Sequence, residues 1–179
     1  MVRPVITGRR FSDDGCVSDD ASDRSRCEVP RIPASAGALI FDVSGRLLIL
    51  KPSYKKGWTI PGGQIDANGE SPWDACRRET REECGLEVEH GRLVCVDFLT
   101  PRPNRPGGVR FLFHCGAFGT RELGTIKLDE REIDEHRLVE LEVAATLLSG
   151  PLRRRVAAGA AATHCVYLEN GVAVPAVHG

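Results

Sequence analysis

Three glutamates, Glu79, Glu82 and Glu83, sit at positions i, i+3 and i+4 of the charged run Arg78-Glu79-Thr80-Arg81-Glu82-Glu83-Cys84-Gly85-Leu86. On a helix this spacing puts all three on one face, within a single turn. Like charges so placed repel, so a helix with a purely structural role has a reason to avoid them. Clustered carboxylate oxygens are the ligands that a hard divalent cation such as Mg²⁺ or Mn²⁺ takes. The bland alternative is a solvated acidic face, with Arg77, Arg78 and Arg81 as salt-bridge partners.

The flanking residues predict that the helix forms. Ser71 is a good N-cap, Asp74 follows it in a capping-box-like arrangement, and Pro72 fits the first helical position. Gly85 is a C-terminal stop, which gives a helix from Pro72 to Cys84. Around it Trp73, Cys76, Thr80 and Cys84 fall on one narrow packing stripe, and the three glutamates fall on the adjacent arc. Ahead of the helix, Trp58-Thr59-Ile60-Pro61-Gly62-Gly63 is a short apolar strand running into Pro-Gly-Gly. Glycines there let the backbone approach a ligand closely, and a free carbonyl is a further oxygen ligand for Mg²⁺.

The segment Gly62 to Leu86 resembles the Nudix box, G-x5-E-x7-R-E-U-x-E-E-x-G-U with U apolar. Glu70, Arg78, Glu79, Glu82, Glu83, Gly85 and Leu86 match in register. Thr80 stands in an apolar slot. Gln64 stands where the first glycine is expected, with Gly63 one residue earlier, so the loop through Asp66-Ala67-Asn68-Gly69 carries one extra residue. Either Gly62 or Gly63 is then the carbonyl that faces a metal.

The resemblance implies an α/β fold, a Nudix-type α/β/α sandwich with a mixed central sheet, over roughly residues 34 to 150. It also implies metal-dependent hydrolysis of a diphosphate linkage in a nucleoside diphosphate derivative, with Mg²⁺ as cofactor and Mn²⁺ as a substitute. Diphosphates resist attack because their anionic oxygens repel a nucleophile. A metal neutralises that charge and lowers the pKa of bound water, and a carboxylate helps take the proton. In this reading Glu82 and Glu83 are the primary ligands, and Glu79 is a second-metal ligand or a proton acceptor. Arg78 orients the glutamates and Glu70 braces the loop. The family's later acidic stretch matches Leu128 to Val139 and offers Glu132, ahead of Glu135, as a carboxylate outside the box; a solvated acidic loop is the other reading. Candidates for binding substrate are Arg46, Lys51, Lys55 and Lys56 near the cleft, Trp58 by stacking on a base, and Arg102, Arg105 and Arg110 from a Pro-rich loop. Each also has a plain reading as surface or packing.

Two other function classes share the fold. A ligand sensor without turnover would be favoured by an eroded box, and these glutamates are intact. An isoprenyl diphosphate isomerase would need a placed catalytic thiol, and the sequence does not put Cys95 or Cys115 in that role.

The remainder of the chain is consistent with a single domain. Its 179 residues suffice for one core, and 41% hydrophobic and 27% charged residues are ordinary for a globular protein. The net charge of −1 gives no global basic field for nucleic acid. No apolar run is long enough to span a bilayer or to form the core of a signal peptide. Seven cysteines without a C-x-x-C pair suggest free thiols in a reducing cytoplasm. A small nucleotide is the expected partner, and a homodimer is possible. Residues 1–33 are polar and read as a disordered tail; the catalytic domain is expected over 34–179. Ala36 to Phe41, Arg46 to Lys51, Leu86 to Glu89, Arg92 to Leu99, Val109 to Phe118 and His164 to Glu169 read as strands. Leu141 to Leu148 and Leu152 to Ala162 read as helices.

Overall fold

The computed structural model describes residues 31–177. The polar stretch expected to be a disordered tail falls outside these residues up to position 30, and Arg31 to Pro33 lead into the first strand. That strand, β1 (Ala34–Asp42), is the centre of the molecule. Its apolar run is buried on both sides, because alternate residues project to opposite faces of the sheet. Ala38 and Ile40 enter one core cluster, Leu39 and Phe41 the other.

β1 pairs antiparallel with β2 (Leu47–Pro52) and β3 (Gly62–Gln64), and parallel with β5 (Gly108–Phe118). β4 (Arg92–Leu99) runs antiparallel to β5 and parallel to β7 (Val166–Glu169), and β8 (Val172–Ala173) closes a hairpin on β7. With β6 (Ile133–Val139) beside β2, the sheet order is β6-β2-β1-β5-β4-β7-β8, with β3 on β1. Helix α1 (Pro72–Cys84) covers one face, where Ala75, Cys76 and Cys84 pack with Ala38, Ile40, Leu48 and Leu50. After a one-turn α2 (Thr120–Leu123), helices α3 (Leu141–Leu147) and α4 (Gly150–Ala161) cover the other face through Ala144, Leu148 and Val156. The result is a mixed sheet between helical layers, the α/β/α sandwich that the box implied.

Three local expectations are corrected. Leu86 to Glu89 is no strand: Leu86 and Val88 are buried as the alternation suggested, but the Val88 carbonyl accepts from Arg77 Nε at 2.9 Å. Only Gly62–Gln64 of the segment around Pro-Gly-Gly is strand, with Trp58 and Thr59 confined to single bridges to Leu148 and Leu50. The acidic stretch after Asp129 is no loop beyond Glu132, since Ile133–Val139 forms an edge strand paired with β2. Charged residues are common on edge strands because they discourage pairing with another chain, and that disguised the strand as a solvated segment.

Candidate active site

Helix α1 is fixed at both ends by local chemistry. The Ser71 hydroxyl accepts from Asp74 N–H at 3.1 Å, and Gly85, at φ 69°, donates its N–H to the Arg81 carbonyl at 2.9 Å. Thr80 fits its apolar slot because its hydroxyl donates to the Cys76 carbonyl at 2.7 Å, which leaves its methyl to pack. The helix thereby holds the three glutamates at a fixed height above the Pro-Gly-Gly strand.

The three do not share one environment. Glu83 is buried, at 5% exposure, so the fully solvated reading of this face fails. The Glu79 side chain is 16% exposed and that of Glu82 is 53% exposed. Glu83 Oε2 accepts the Gly62 N–H at 2.7 Å, which ties the helix to β3. Gly62 is at φ 142°, and a side chain there would collide with the Ala36 carbonyl. The space that a Cβ on Gly63 would fill is held by the Glu79 carboxylate. The two glycines therefore exist so that backbone and carboxylates can lie in contact.

Arg78 is the hub of the cluster. Its Nε and Nη2 donate to the two oxygens of Glu70 at 2.7 and 3.0 Å. Nη1 donates to Glu79 at 2.8 Å and Glu82 at 3.0 Å, and Nη2 reaches the Gln64 carbonyl at 3.0 Å. A planar guanidinium can serve this many oxygens at fixed angles, which an ammonium cannot. The hydrogen bonds from Arg78, then that from the Asp66 N–H, hold the Glu70 carboxyl down at about 2. Glu70, in turn raising the Arg78 pKa, clamps the loop that carries the extra residue; Asn68 accepts the Glu70 N–H at 3.0 Å within that turn.

Glu83 is left without such a partner. Burial pushes its carboxyl up to about 8; the Gly62 hydrogen bond opposes this, while the charges of Glu79 and Glu132 add to it. Burial also raises Glu79, against the pull of Arg78. The charge of Glu132 adds to both, and its main-chain carbonyl accepts from Ser53 N–H at 2.8 Å. Lys55, from the neighbouring loop, is the cation that acts on Glu83 from outside the helix.

As the side chains lie, no three acidic, histidine or cysteine groups among the described residues converge tightly enough to hold an ion. The cause is visible in the contacts: Glu83 is turned onto the Gly62 amide, and Glu79 and Glu82 onto Arg78. The donor set is carboxylate oxygen crowded with negative charge, which suits Mg²⁺ or Mn²⁺.

A cavity of about 510 Å³ opens beside Gly62 and Gly63, with Lys55, Arg105, Arg110 and Arg155 on its walls. Arg46, Lys51 and Trp58 do not line it. Arg46 pairs with Asp42 at the β1–β2 turn, Lys51 is exposed on β2 opposite Glu135, and Trp58 lies under the Arg137 guanidinium, 4.6 Å from its ring centre. None of the described cysteines lines the cavity; Cys76, Cys84, Cys95 and Cys115 are buried in the cores. Among the described residues, then, none supplies at this cleft the thiol an isomerase would need.

Sequence reasoning missed Asp97 and Arg155. Asp97 is fully buried in β4; its Oδ2 accepts from Arg155 Nε at 2.9 Å, and its Oδ1 from the Gly171 N–H at 2.9 Å. The signal was available, because a carboxylate inside the apolar strand Leu93 to Leu99 must find a partner.

Comparison with known proteins agrees with this geometry. Residues 31–158 match the NUDIX domain. The RNA pyrophosphohydrolase of Psychrobacter cryohalolentis is 38% identical over 63 residues, 35% of this chain and 36% of that protein. The chain thus spans little more than a third of the length of that curated relative. The crystal structure of MutT protein from Methanosarcina mazei Go1 superposes with a TM-score of 0.55 at 25% identity, covering 68% of this chain and 85% of the other. The C. elegans Ap4A hydrolase does so with a TM-score of 0.53 at 27% identity, covering 71% and 96%. With residues 31–158, most of the chain, matched by the family's domain, the protein belongs to the NUDIX domain family.

Proposed function

We propose that this protein is a divalent-metal-dependent hydrolase that cleaves a diphosphate linkage in a small nucleoside diphosphate derivative. One observation carries the reading. A buried carboxyl, Glu83, feels the charges of Glu79 and Glu132 and is bonded to Gly62, which lines a cavity that has Lys55, Arg105, Arg110 and Arg155 on its walls. A fold gains nothing from burying a carboxylate without a partner, so the arrangement calls for a cation on one side and a polyanion on the other.

Glu83, Glu82 and Glu79, with the carbonyl of Gly62 or Gly63, would hold Mg²⁺, or Mn²⁺ in its place. When bound, the ion neutralises phosphate charge and makes water a better nucleophile. The chain's own groups do the remainder. Arg78 sets the orientation of Glu79 and Glu82, and Glu70 fixes Arg78. Glu132, whose charge acts on Glu79 and Glu83, is the candidate acceptor for the proton of the attacking water. Lys55, Arg110 and Arg155 meet the phosphates from the cavity wall. The cavity volume suits a mononucleotide-sized group.

The test is product release from a panel of nucleoside diphosphate derivatives with Mg²⁺ or Mn²⁺, comparing wild type with Glu83→Gln. Cleavage of one class by wild type, lost in the variant, supports the assignment. Folded wild type that binds nucleotides but cleaves none of them moves the protein to the sensor class.

A further inference from the structure

Beyond the cavity at Gly62 and Gly63 lies a second one of about 610 Å³. The two share Leu99, Arg105, Arg110 and Pro151, so they form one continuous groove. Arg102, Arg105, Arg110 and Arg154 all line the second cavity, and no carboxylate does. Among the described residues none of these four arginines forms an ion pair. Every salt bridge of the described residues lies elsewhere, although the chain as a whole carries 25 acidic against 24 basic residues. Four arginines lining one cavity without a carboxylate make it electropositive, a setting that favours an incoming anion.

The arginines are held by main chain instead. Arg110 Nη1 donates to the Val109 carbonyl at 3.1 Å and the Pro33 carbonyl at 3.4 Å, and Nη2 to the Gly107 carbonyl at 3.4 Å. It can lie there because Gly108 has no side chain: a Cβ would stand 2.7 Å from Nη1. Arg154 Nη2 donates to the Asn170 carbonyl at 2.7 Å. Arg102 and Arg105 face each other across a two-way main-chain bridge of 2.9 Å, which fixes the loop while leaving both side chains free. Carbonyl contacts position a guanidinium without neutralising it, so its charge stays available to a ligand. At the junction with the first cavity, Arg110 lies cross-strand from Asp97, whose carboxylate is already taken by Arg155. Two cations there share one anion. The start of α4 borders both cavities through Pro151, and Ser149 gives it no side-chain cap.

We propose that the pocket formed by Arg102, Arg105, Arg110 and Arg154 is a second anion subsite, which holds phosphate carried on the far arm of the substrate. For its place in turnover this rests on the hydrolase reading; for ligand binding it does not. It selects substrates whose second arm is itself anionic, such as a nucleoside with a long polyphosphate chain, over a nucleoside diphosphate joined to a neutral sugar.

The experiment is a calorimetric titration of inorganic triphosphate into the full chain in EDTA, so that the carboxylate cluster cannot contribute through a metal. Wild type is compared with Arg102→Ala/Arg154→Ala, which line the second cavity and not the first, and with Arg121→Ala/Arg153→Ala, a control of equal charge outside this pocket. Thermal melts and circular dichroism check that each is folded; should the double variant not fold, Arg102→Ala alone, on the exposed loop, takes its place. The subsite predicts at least a tenfold rise in Kd for the pocket variant and less than a twofold change for the control. Equal weakening in both, no weakening in either, or no binding by wild type at millimolar triphosphate overturns it. In turnover, the pocket variant should raise KM at least tenfold for adenosine tetraphosphate, leave kcat within twofold, and leave ADP-glucose unaffected. Loss of the same size on both substrates also overturns it. Wild type that binds triphosphate through these arginines yet hydrolyses nothing refutes the hydrolase reading and leaves the subsite standing.

Discussion

Replacing Glu83 by Gln should stabilise the metal-free protein while abolishing turnover. Burial raises the Glu83 carboxyl from an ordinary value of 4.5 to about 8 in the folded chain. Below pH 4.5 the group is protonated in both folded and unfolded states and has no effect on stability. Between pH 4.5 and 8 the unfolded chain gives up the proton and the folded chain keeps it, so stability falls as pH rises, by about 1.4 kcal/mol per pH unit. At pH 7 the cost reaches at most ~3 kcal/mol. Gln keeps the oxygen that accepts from Gly62 and has no proton to lose. In EDTA at pH 7 the variant should therefore melt higher than wild type, by roughly 6–10 °C for a domain of this size. At pH 5 the two should nearly coincide. Saturating Mg²⁺ should raise the melting temperature of wild type and leave the variant almost unmoved, because the ion supplies the charge that Glu83 lacks. Glu70 does not confuse the comparison: its carboxyl is held at about 2, so its contribution is gained between about 2 and 4.5 as pH rises. The assay is a set of thermal melts at pH 5, 6, 7 and 8, with EDTA or Mg²⁺. A variant no more stable than wild type at pH 7 and 8 in EDTA would refute the claim that this carboxylate is held at a cost to the fold.

Three further outcomes follow from individual contacts. Arg78→Lys keeps the charge but cannot serve Glu70, Glu79, Glu82 and the Gln64 carbonyl together, so kcat should fall by at least ~10-fold; steady-state kinetics showing full activity would mean that the hub only solubilises the face. Gly63→Ala puts a methyl group where the Glu79 carboxylate lies, and moving that carboxylate by an ångström should lower kcat by about 10²-fold with little change in a thermal melt. Asp97→Asn leaves Arg155 buried without its anion and should cost about 3–5 kcal/mol, read as a lower urea midpoint at an unchanged m-value.

What could be seen in the sequence was whatever local chemistry decides. Ser71, Pro72 and Gly85 bound α1 to the residue, because caps act through neighbours in the chain. The apolar runs of β1, β2, β4 and β5 were visible for the same reason. What stayed hidden depended on distant partners. Ile133–Val139 is a strand only because β2 lies beside it, and the buried Asp97 has a meaning only once α4 and Gly171 reach it. Among the substrate candidates, Arg110 reached the cavity, whereas Arg46, Lys51 and Trp58 found partners elsewhere, at Asp42, on the exposed side of β2 and at Arg137. A cation in a sequence carries no mark of which side of a sheet it will serve.

The arrangement around Arg78 explains why the deepest carboxylate is the one in need of a cation. One guanidinium binds Glu70, Glu79 and Glu82, and all three lie on the side of α1 that it can reach. Glu83 is one residue further round the helix, turned toward β3, where among the described residues the donor it meets is the uncharged Gly62 amide. An amide hydrogen bond satisfies one lone pair but does not offset a full charge in a buried place. By holding Glu70, Glu79 and Glu82 and missing Glu83, Arg78 keeps the outer glutamates oriented and leaves the inner carboxyl to keep its proton in the metal-free chain.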